Sequence, residues 1–259
     1  MTTPVPTTIG ELLFQNYLDA MRYPYEFEKE FHGKSKRPDY TVTKNGVFLF
    51  DVKDFDPYMP PGGGGFYDPY PRIREKIEEG REKFKEFKEF PCALVLKNDG
   101  NALVNLESVD IMLGSMYGDS GFTFPVDTNL GKAAGPVKRA FLGRGKMIRP
   151  TYYQNTTISA LITLRYVGVG MRQYRTMVKK YPNLDVEETL AAAAKEFPNF
   201  DIGEKQLGVI VWENAVARIP LSRELFTGPY DERWGYEDGH QSIVFRGEKL
   251  AGLSEDEEK

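Results

Sequence analysis

The chain of 259 residues is poor in cysteine and histidine, which limits the chemistry it can perform. Its single cysteine, Cys92, excludes an internal disulfide and a zinc site with several cysteine ligands, and it is typical of a reducing compartment. The only histidines are His32 and His240, so mechanisms that need several histidines are disfavoured. The sequence also lacks a GxxxxGK(S/T) phosphate loop, an HExxH helix and a GxSxG elbow.

Long apolar segments and a strong net charge are absent as well. No apolar run approaches the ~20 residues needed to span a bilayer, and the amino terminus lacks the basic and apolar regions of a signal peptide. We therefore expect a soluble, cytoplasmic protein without a membrane partner. The formal net charge of −4 argues against a uniformly basic nucleic-acid coat, although a local basic groove is compatible with it.

The sequence favours one domain. It is 41% hydrophobic, which is ample for a sizeable core, and it contains neither a Pro/Ser-rich linker nor an internal repeat. We predict a single domain over residues 1–253, with a core over about residues 8–97 that residues 98–253 extend. Residues 254–259 are predicted to form an acidic tail.

The first hundred residues predict a regular order of elements. Thr8 and Glu11 form a capping box that opens a helix running to about Arg22. Alternating residues predict a strand over 25–31, a hairpin follows over 39–53, and the Pro-, Gly- and Tyr-rich residues 54–71 predict a long loop. An apolar stripe predicts a helix over 72–90, and an apolar run predicts a strand over 91–96. This order favours a three-layer α/β domain.

The later residues give a less regular pattern. Apolar periodicity predicts helices over 109–117, 171–181 and 186–197, and strands over 157–166, 207–212 and 242–245. Residues 118–150 are predicted to be rich in loops.

Two acidic residues and one lysine lie in the predicted hairpin. Pro38-Asp39 is followed twelve residues later by Asp51-Val52-Lys53. Strand alternation puts Asp51 and Lys53 on one face, about 6–7 Å apart. Exposed Asp–Lys pairs are common and contribute little. The strand over residues 47–53, however, has apolar residues on both faces, which indicates that it is buried. Charges at the end of a buried strand are expected to lie at a cleft.

The register of the hairpin decides whether Asp39 joins the other two. A two-residue Asn45-Gly46 loop would place Asp39 on the opposite face from Asp51. A three-residue loop pairs Thr43 with Val47 and puts Asp39 opposite Asp51. We predict this longer loop, with Lys44 and Asn45 in a type I turn and Gly46 left-handed, because only its register brings the two carboxylates together.

This arrangement resembles the PD-(D/E)XK nuclease superfamily, whose members share the restriction-endonuclease-like fold. The match covers roughly residues 8–97 and includes the Pro38-Asp39 dipeptide and the Asp-x-Lys string. The segments 213–220 and 228–234 also look like parts of uncharacterised bacterial members. The resemblance implies a core of helix, three strands, helix and strand, with C-terminal α/β elaborations.

The resemblance also implies roles for individual residues. Asp39 and Asp51 would ligate Mg²⁺ or Mn²⁺, with the backbone carbonyl of Val52 as a further ligand. Lys53 would position or help to deprotonate the attacking water and stabilise the transition state. In many members a glutamate on the first helix completes the site, and Glu11 occupies that place. The capping box explains Glu11 equally well, so the two roles compete for one side chain.

Basic residues are concentrated in two places. The helix over 72–90 mixes both signs, which favours a solvated face with i,i+4 pairs, although Lys83 and Arg74 are candidates for substrate contact. Between residues 131 and 150 no acidic residue balances the positive ones, and tyrosines follow. We expect this segment to bind phosphate, the alternative being a basic loop that pairs with the acidic remainder. Its candidate nucleic-acid-binding residues are Lys132, Lys138, Arg139, Arg144, Lys146 and Arg149.

Together these features predict a metal-dependent nuclease that hydrolyses DNA phosphodiester bonds by one-step attack of water. Hard oxygen ligands suit Mg²⁺, which needs only one or two carboxylates, and such chemistry requires no histidine. Two alternatives stay open: a non-catalytic nucleic-acid-binding or defence-complex subunit with the same fold, and a nuclease that acts on RNA. The expected partner is nucleic acid, with DNA favoured, and assembly as a homodimer or within a larger complex is left open.

Overall fold

A mixed β-sheet with helices packed on both faces forms the protein in the computed structural model. The structure describes residues 5–60, 67–136, 138–147, 153–197, 200–201, 203, 205–236 and 243–247. Within these ranges the main sheet has eight strands. They are β1 (Tyr25–Phe27), β2 (Tyr40–Thr43), β3 (Val47–Phe55), β4 (Cys92–Asn98), β9 (Ile158–Gly168), β10 (Lys205–Glu213), β11 (Glu232–Tyr236) and β12 (Ile243–Gly247).

The remaining elements are helices and short strand pairs. The helices are α1 (Ile9–Ala20), α2 (Tyr70–Phe84), α3 (Val109–Tyr117), α4 (Val169–Lys180) and α5 (Val186–Glu196). Two small ladders join β5 (Gly118–Thr123) to β8 (Lys138–Arg144) and β6 (Val126–Asp127) to β7 (Lys132–Ala133). No helix in the described ranges is long and apolar enough to cross a membrane.

The main sheet is mixed: it is parallel in its centre, and near one edge the parallel pair β10–β11 lies between two antiparallel pairs. Its strands lie in the order β1, β2, β3, β4, β9, β10, β11, β12. β4 pairs in parallel with both β3 and β9, whereas β1–β2, β2–β3, β9–β10 and β11–β12 are antiparallel pairs. The central strands β4 and β9 are nearly continuous in apolar residues, as expected of strands covered on both faces.

Each face of the sheet has its own apolar core. On one face, Phe14 and Leu18 of α1 pack with Tyr40, Phe50 and Val52. On the other face, α2 and α3 cover the alternate residues of the same strands, through a cluster that includes Leu49, Ile73, Ile77, Leu94 and Met112. The α/β class is therefore confirmed, and the two cores give three layers, with α1 opposite α2.

Several predicted elements need correction. β1 ends at Phe27 and α2 ends at Phe84, both earlier than predicted. The region predicted to be loop-rich over 118–150 contains the β5–β8 ladder, and β11 was not predicted. The glycine run over 62–65 within the predicted loop and the predicted acidic tail over 254–259 lie outside the described residues.

Candidate active site

The register of the β2–β3 hairpin is the predicted one. Thr43 pairs with Val47, and the ladder continues to Tyr40 opposite Phe50. One step beyond this last pair, Asp39 lies beside Asp51. Both carboxylates therefore project from the face that α2 covers, since their neighbours Tyr40 and Phe50 belong to the core under α1.

The loop that sets this register has the predicted length but not the predicted backbone. Asn45 adopts the left-handed conformation, with φ of 52°. Gly46 also has a positive φ, of 153°, which glycine adopts readily, but this value lies far from the αL region. A type I turn over Lys44 and Asn45 is therefore wrong, because its second residue needs a negative φ. The amide of Lys44 donates to the carbonyl of Gly46 at 3.0 Å and closes the loop.

The carboxylate of Asp39 is held from two directions. Its Oδ2 accepts a hydrogen bond of 2.7 Å from the backbone amide of Val52. Its Oδ1 accepts a hydrogen bond of 2.6 Å from Nζ of Lys83. The amide and carbonyl of one strand residue point to the same side, so the Val52 carbonyl also faces the strand edge where Asp39 lies.

Asp51 is fully buried, with 0% of its surface exposed, and both of its oxygens face a lysine. Nζ of Lys83 donates to Oδ1. Nζ of Lys53 lies 3.0 Å from Oδ2 in an ion pair that lacks hydrogen-bond geometry. The prediction that Asp51 and Lys53 share a face is confirmed. A buried carboxylate is costly unless it is paired, and here two ammonium groups compensate it.

Lys83 is the residue whose role sequence reasoning misjudged. It lies in the last turn of α2, and only 20% of its side-chain surface is exposed. The solvated-face interpretation is therefore wrong for Lys83, and also for Arg74, which is buried. Other charges on α2 and at its end do form solvated pairs, but these are three residues apart and not four as predicted: Lys76–Glu79, Arg81–Glu78 and Lys85–Glu82. The sequence feature that could have identified Lys83 as partly buried is its position next to Phe84, a residue of the predicted apolar stripe.

The segment before Asp39 fastens the end of α2 next to the acidic pair. Lys36 donates to the carbonyl of Glu82, and Lys34 donates to the carbonyl of Glu86. The backbone amide of Ser35 donates to the Glu86 carboxylate at 2.7 Å. Cations at a helix carboxyl end also interact favourably with the helix dipole. These contacts place the α2 end, and with it Lys83, over the hairpin.

Burial and the adjacent charges shift two pKa values in the site. Burial and the neighbouring Asp51 raise the pKa of Asp39 to about 7, against the opposing effects of Lys83 and the Val52 amide. Burial lowers the pKa of Lys83, but Asp51 and Asp39 outweigh it and raise that pKa above its ordinary value. Lys83 is therefore a permanent cation at neutral pH, whereas Asp39 gains or loses a proton there.

The structure does not bring Glu11 to the acidic pair. Its Oε2 accepts hydrogen bonds from the amides of Thr7 and Thr8, at 2.7 and 3.0 Å, and the Thr8 hydroxyl accepts from the Glu11 amide at 3.2 Å. The capping box is thus formed, and α1 packs on the face opposite Asp39 and Asp51. Among the described residues, no three Asp, Glu, His or Cys side chains are grouped to hold a metal.

The oxygen atoms that are present nevertheless fit a hard divalent ion. Oδ1 atoms of Asp39 and Asp51 converge on one cation, the Lys83 ammonium, so a single positive centre can contact both. Two carboxylates suffice for Mg²⁺, which keeps several waters. Two further oxygen atoms could serve as ligands. One is Oδ2 of Asp51, which is buried and has no hydrogen-bond partner, and the other is the carbonyl oxygen of Val52.

The predicted nucleic-acid-binding residues are spread over several places. Lys132 is exposed in β7. Lys138 and Arg139 lie in β8 and pair through their backbones with β5, and the structure does not describe their side chains. Arg149 also lies outside the described residues. Arg144 and Lys146 line an open pocket of about 460 Å³, together with Pro71, Arg74 and Glu75.

Two of the basic side chains at this pocket are paired with acids. Lys146 donates to Glu78 at 3.0 Å, and Arg74 donates to Asp119 at 3.1 Å and to the Gly114 carbonyl at 2.8 Å. The alternative of pairing with acidic residues is therefore realised for Lys146. The pocket lies across α2 from the acidic pair, because Arg74 and Lys83 are nine positions, or about two and a half turns, apart.

Comparison with known proteins adds no relative. No protein-family model matches the chain, and neither a curated protein nor a solved structure matches it.

Proposed function

We propose that this protein is a metal-dependent nuclease that hydrolyses DNA phosphodiester bonds and has a restriction-endonuclease-like core. The observation that carries the proposal is the convergence of Asp39 and Asp51 on one cation beside Lys53, at a buried strand end. The order α1, β1, β2, β3, α2, β4, with an antiparallel hairpin followed by a parallel strand, also supports such a core.

The residues of the site would divide the work. Asp39, Asp51 and the Val52 carbonyl would hold Mg²⁺ or Mn²⁺, which supplies positive charge at the phosphate and activates water when bound. Lys53 has 24% of its side-chain surface exposed and is oriented by Asp51. Its ammonium can therefore donate to a phosphate oxygen while Asp51 holds it in place, a role that needs a compact point charge.

The proposal is tested with purified protein and plasmid DNA in Mg²⁺ or Mn²⁺. Asp51→Ala and Lys53→Ala are compared with wild type and with Lys76→Ala, a matched control whose lysine forms an exposed pair on α2. We expect cleavage by wild type and the control, and at least a hundredfold loss in both site variants. Unchanged cleavage in both Asp51→Ala and Lys53→Ala rejects the site. Parallel reactions with RNA decide between the two nucleic acids.

A non-catalytic nucleic-acid-binding or defence-complex subunit is the second candidate. The observation that favours it is the placement of Lys83, which already contacts both carboxylates, together with the absence of a third carboxylate in the described part of the site. A pure binder would retain DNA with no dependence on Mg²⁺ or on Asp39. Measuring DNA affinity of wild type and Asp39→Asn with and without Mg²⁺ separates the two candidates.

A further inference from the structure

Lys83 is the one side chain with a hydrogen bond to both members of the acidic pair in the described structure. Its Nζ donates to Oδ1 of Asp39 at 2.6 Å and to Oδ1 of Asp51. Asp51 has no exposed surface, and the side chain of Asp39 is nearly buried. The ammonium therefore occupies the position from which one cation can contact both carboxylates.

The position of the Lys83 ammonium is determined mainly by how α2 packs on the sheet. The contacts from Lys36 to Glu82 in the last turn of α2, and from residues 34 and 35 to Glu86 just after it, hold the helix end beside Asp39. The lysine side chain has a flexible four-carbon stem, however, so Nζ can move away from the two carboxylates without any movement of the helix. Part of the side chain already reaches solvent, which gives it a direction in which to withdraw.

We propose that Lys83 is the resident counter-ion of the acidic pair and that a divalent metal binds by displacing it. The inference rests on the proposed function in so far as it takes the ligand of the site to be a divalent cation. A metal ion and the ammonium repel each other at a few ångströms and need the same Oδ1 atoms. Lys83 thus stabilises the metal-free protein and weakens its affinity for metal.

Lys53 is the matched comparison for this role. It contacts only Asp51, through the other oxygen, at 3.0 Å along the same strand. It carries the same charge as Lys83, but it does not occupy the position shared by Asp39 and Asp51. Removing its charge should change metal affinity far less than removing that of Lys83.

The first test is Mn²⁺ binding to metal-free full-length protein, followed by calorimetry. Lys83→Met keeps the apolar stem and removes the charge, and we expect it to bind Mn²⁺ about tenfold tighter than wild type or more. Lys53→Met should lie closer to wild type, and Asp39→Asn should bind weakly. A merely structural role for Lys83 predicts weaker binding in Lys83→Met, since loss of structure does not improve a site.

Two contrary results are distinguishable. If wild type binds Mn²⁺ through Asp39 but Lys83→Met binds no more tightly, the displacement by metal is rejected while the proposed function stands. If neither wild type nor Lys83→Met binds Mn²⁺ in a manner that depends on Asp39, the metal site and the inference are both rejected.

A second test uses wild type alone and does not depend on the folding of a variant. Lysine labelled with ¹⁵N at Nζ should give a protected ammonium signal for Lys83 in metal-free protein. Saturation with Mg²⁺ should move this signal or broaden it into exchange with water. A Lys83 signal that stays unchanged at saturating Mg²⁺ overturns the displacement.

Discussion

The Oδ2 atom of Asp39 accepts a hydrogen bond of 2.7 Å from the backbone amide of Val52, thirteen positions further along the chain. This bond ties the acidic residue before β2 to the edge of β3, beyond the last pair of the hairpin ladder. It leaves Oδ1 turned toward Lys83 and the neighbouring Asp51. The geometry of the candidate site therefore follows directly from the register of one hairpin.

Lys53 is expected to act in catalysis rather than in metal binding. Lys53→Met should lower kcat by about 10²–10³-fold, because a donor to the transition state is lost. Mn²⁺ binding should be retained, since Asp39, Asp51 and the Val52 carbonyl are unchanged. Single-turnover plasmid cleavage and calorimetry on the same preparation measure the two quantities. Loss of Mn²⁺ binding in step with loss of cleavage would instead assign Lys53 a structural role.

The pKa of Asp39 predicts how stability depends on pH in metal-free protein. Burial and Asp51 raise this pKa to about 7 in the native state, while an aspartate in the unfolded chain titrates at about 3.9. Between these values the native protein keeps a proton that the unfolded chain has released. The contribution of Asp39 to the free energy of unfolding therefore falls as pH rises, by at most about 1.4 kcal/mol per unit.

Urea unfolding in EDTA at several values from about pH 4 to about pH 8 measures this effect. Asp39→Asn cannot titrate, so the free energy of wild type minus that of Asp39→Asn should decrease across this window. The difference removes the contributions of carboxylates that do not interact with Asp39. A difference that is flat, or that increases with pH, contradicts a raised pKa for Asp39.

Gly10→Ala is expected to destabilise the protein although it lies in a helix. Helix propensity alone would make alanine better by about 1 kcal/mol. A Cβ at Gly10 would lie 1.9 Å from Oδ1 of Asp54, whose Oδ2 accepts from the Gly10 amide at 3.0 Å. We expect a net loss of about 1–3 kcal/mol in urea unfolding.

The Asp54→Ala background provides the control for Gly10→Ala. With the carboxylate gone, only the contact of 3.0 Å to Cγ1 of Val52 remains, and the same Gly10→Ala change should be much less destabilising. Destabilisation of equal size in both backgrounds would show that Asp54 is not the cause.

Arg144 is expected to contribute to nucleic-acid affinity through phosphate. It lies at the pocket beside Arg74 and Lys146, and it is exposed. Arg144→Ala should weaken DNA binding and lower the salt slope of log K by about one. Lys76→Ala, on an exposed pair of α2, is the control. An unchanged slope removes Arg144 from the interface.

Local patterns were sufficient for the hairpin and the first helix. Alternation along β3 placed Asp51 and Lys53 on one face, and turn composition with the pairing of carboxylates gave the register. The capping box of Thr8 and Glu11 formed as its spacing predicts. Strand alternation and helix capping depend on residues a few positions apart, so sequence alone contains the necessary information for them. The backbone conformation of Asn45 differs from the predicted type I turn because several loop conformations are compatible with one register.

The contribution of α2 could not be predicted in the same way. The stripe of Ile73, Ile77 and Phe84 identifies the buried face of the helix and puts Lys83 on its flank. It does not say which strand that flank meets, because this depends on how the helix crosses the sheet and where residues 34–36 dock. Without that information, the mixed charges of α2 predict a helix face that is exposed to solvent.

The sequence by itself determined the capped helix and the shared face of Asp51 and Lys53. It allowed two hairpin registers, and the pairing of the carboxylates selected one of them. Only the tertiary structure decided which helix lies over that face. It placed Lys83 between Asp39 and Asp51 and left Glu11 on the opposite layer. The physical reason is that periodicity is a local property of the chain, whereas the packing of helices on a sheet joins residues more than forty positions apart.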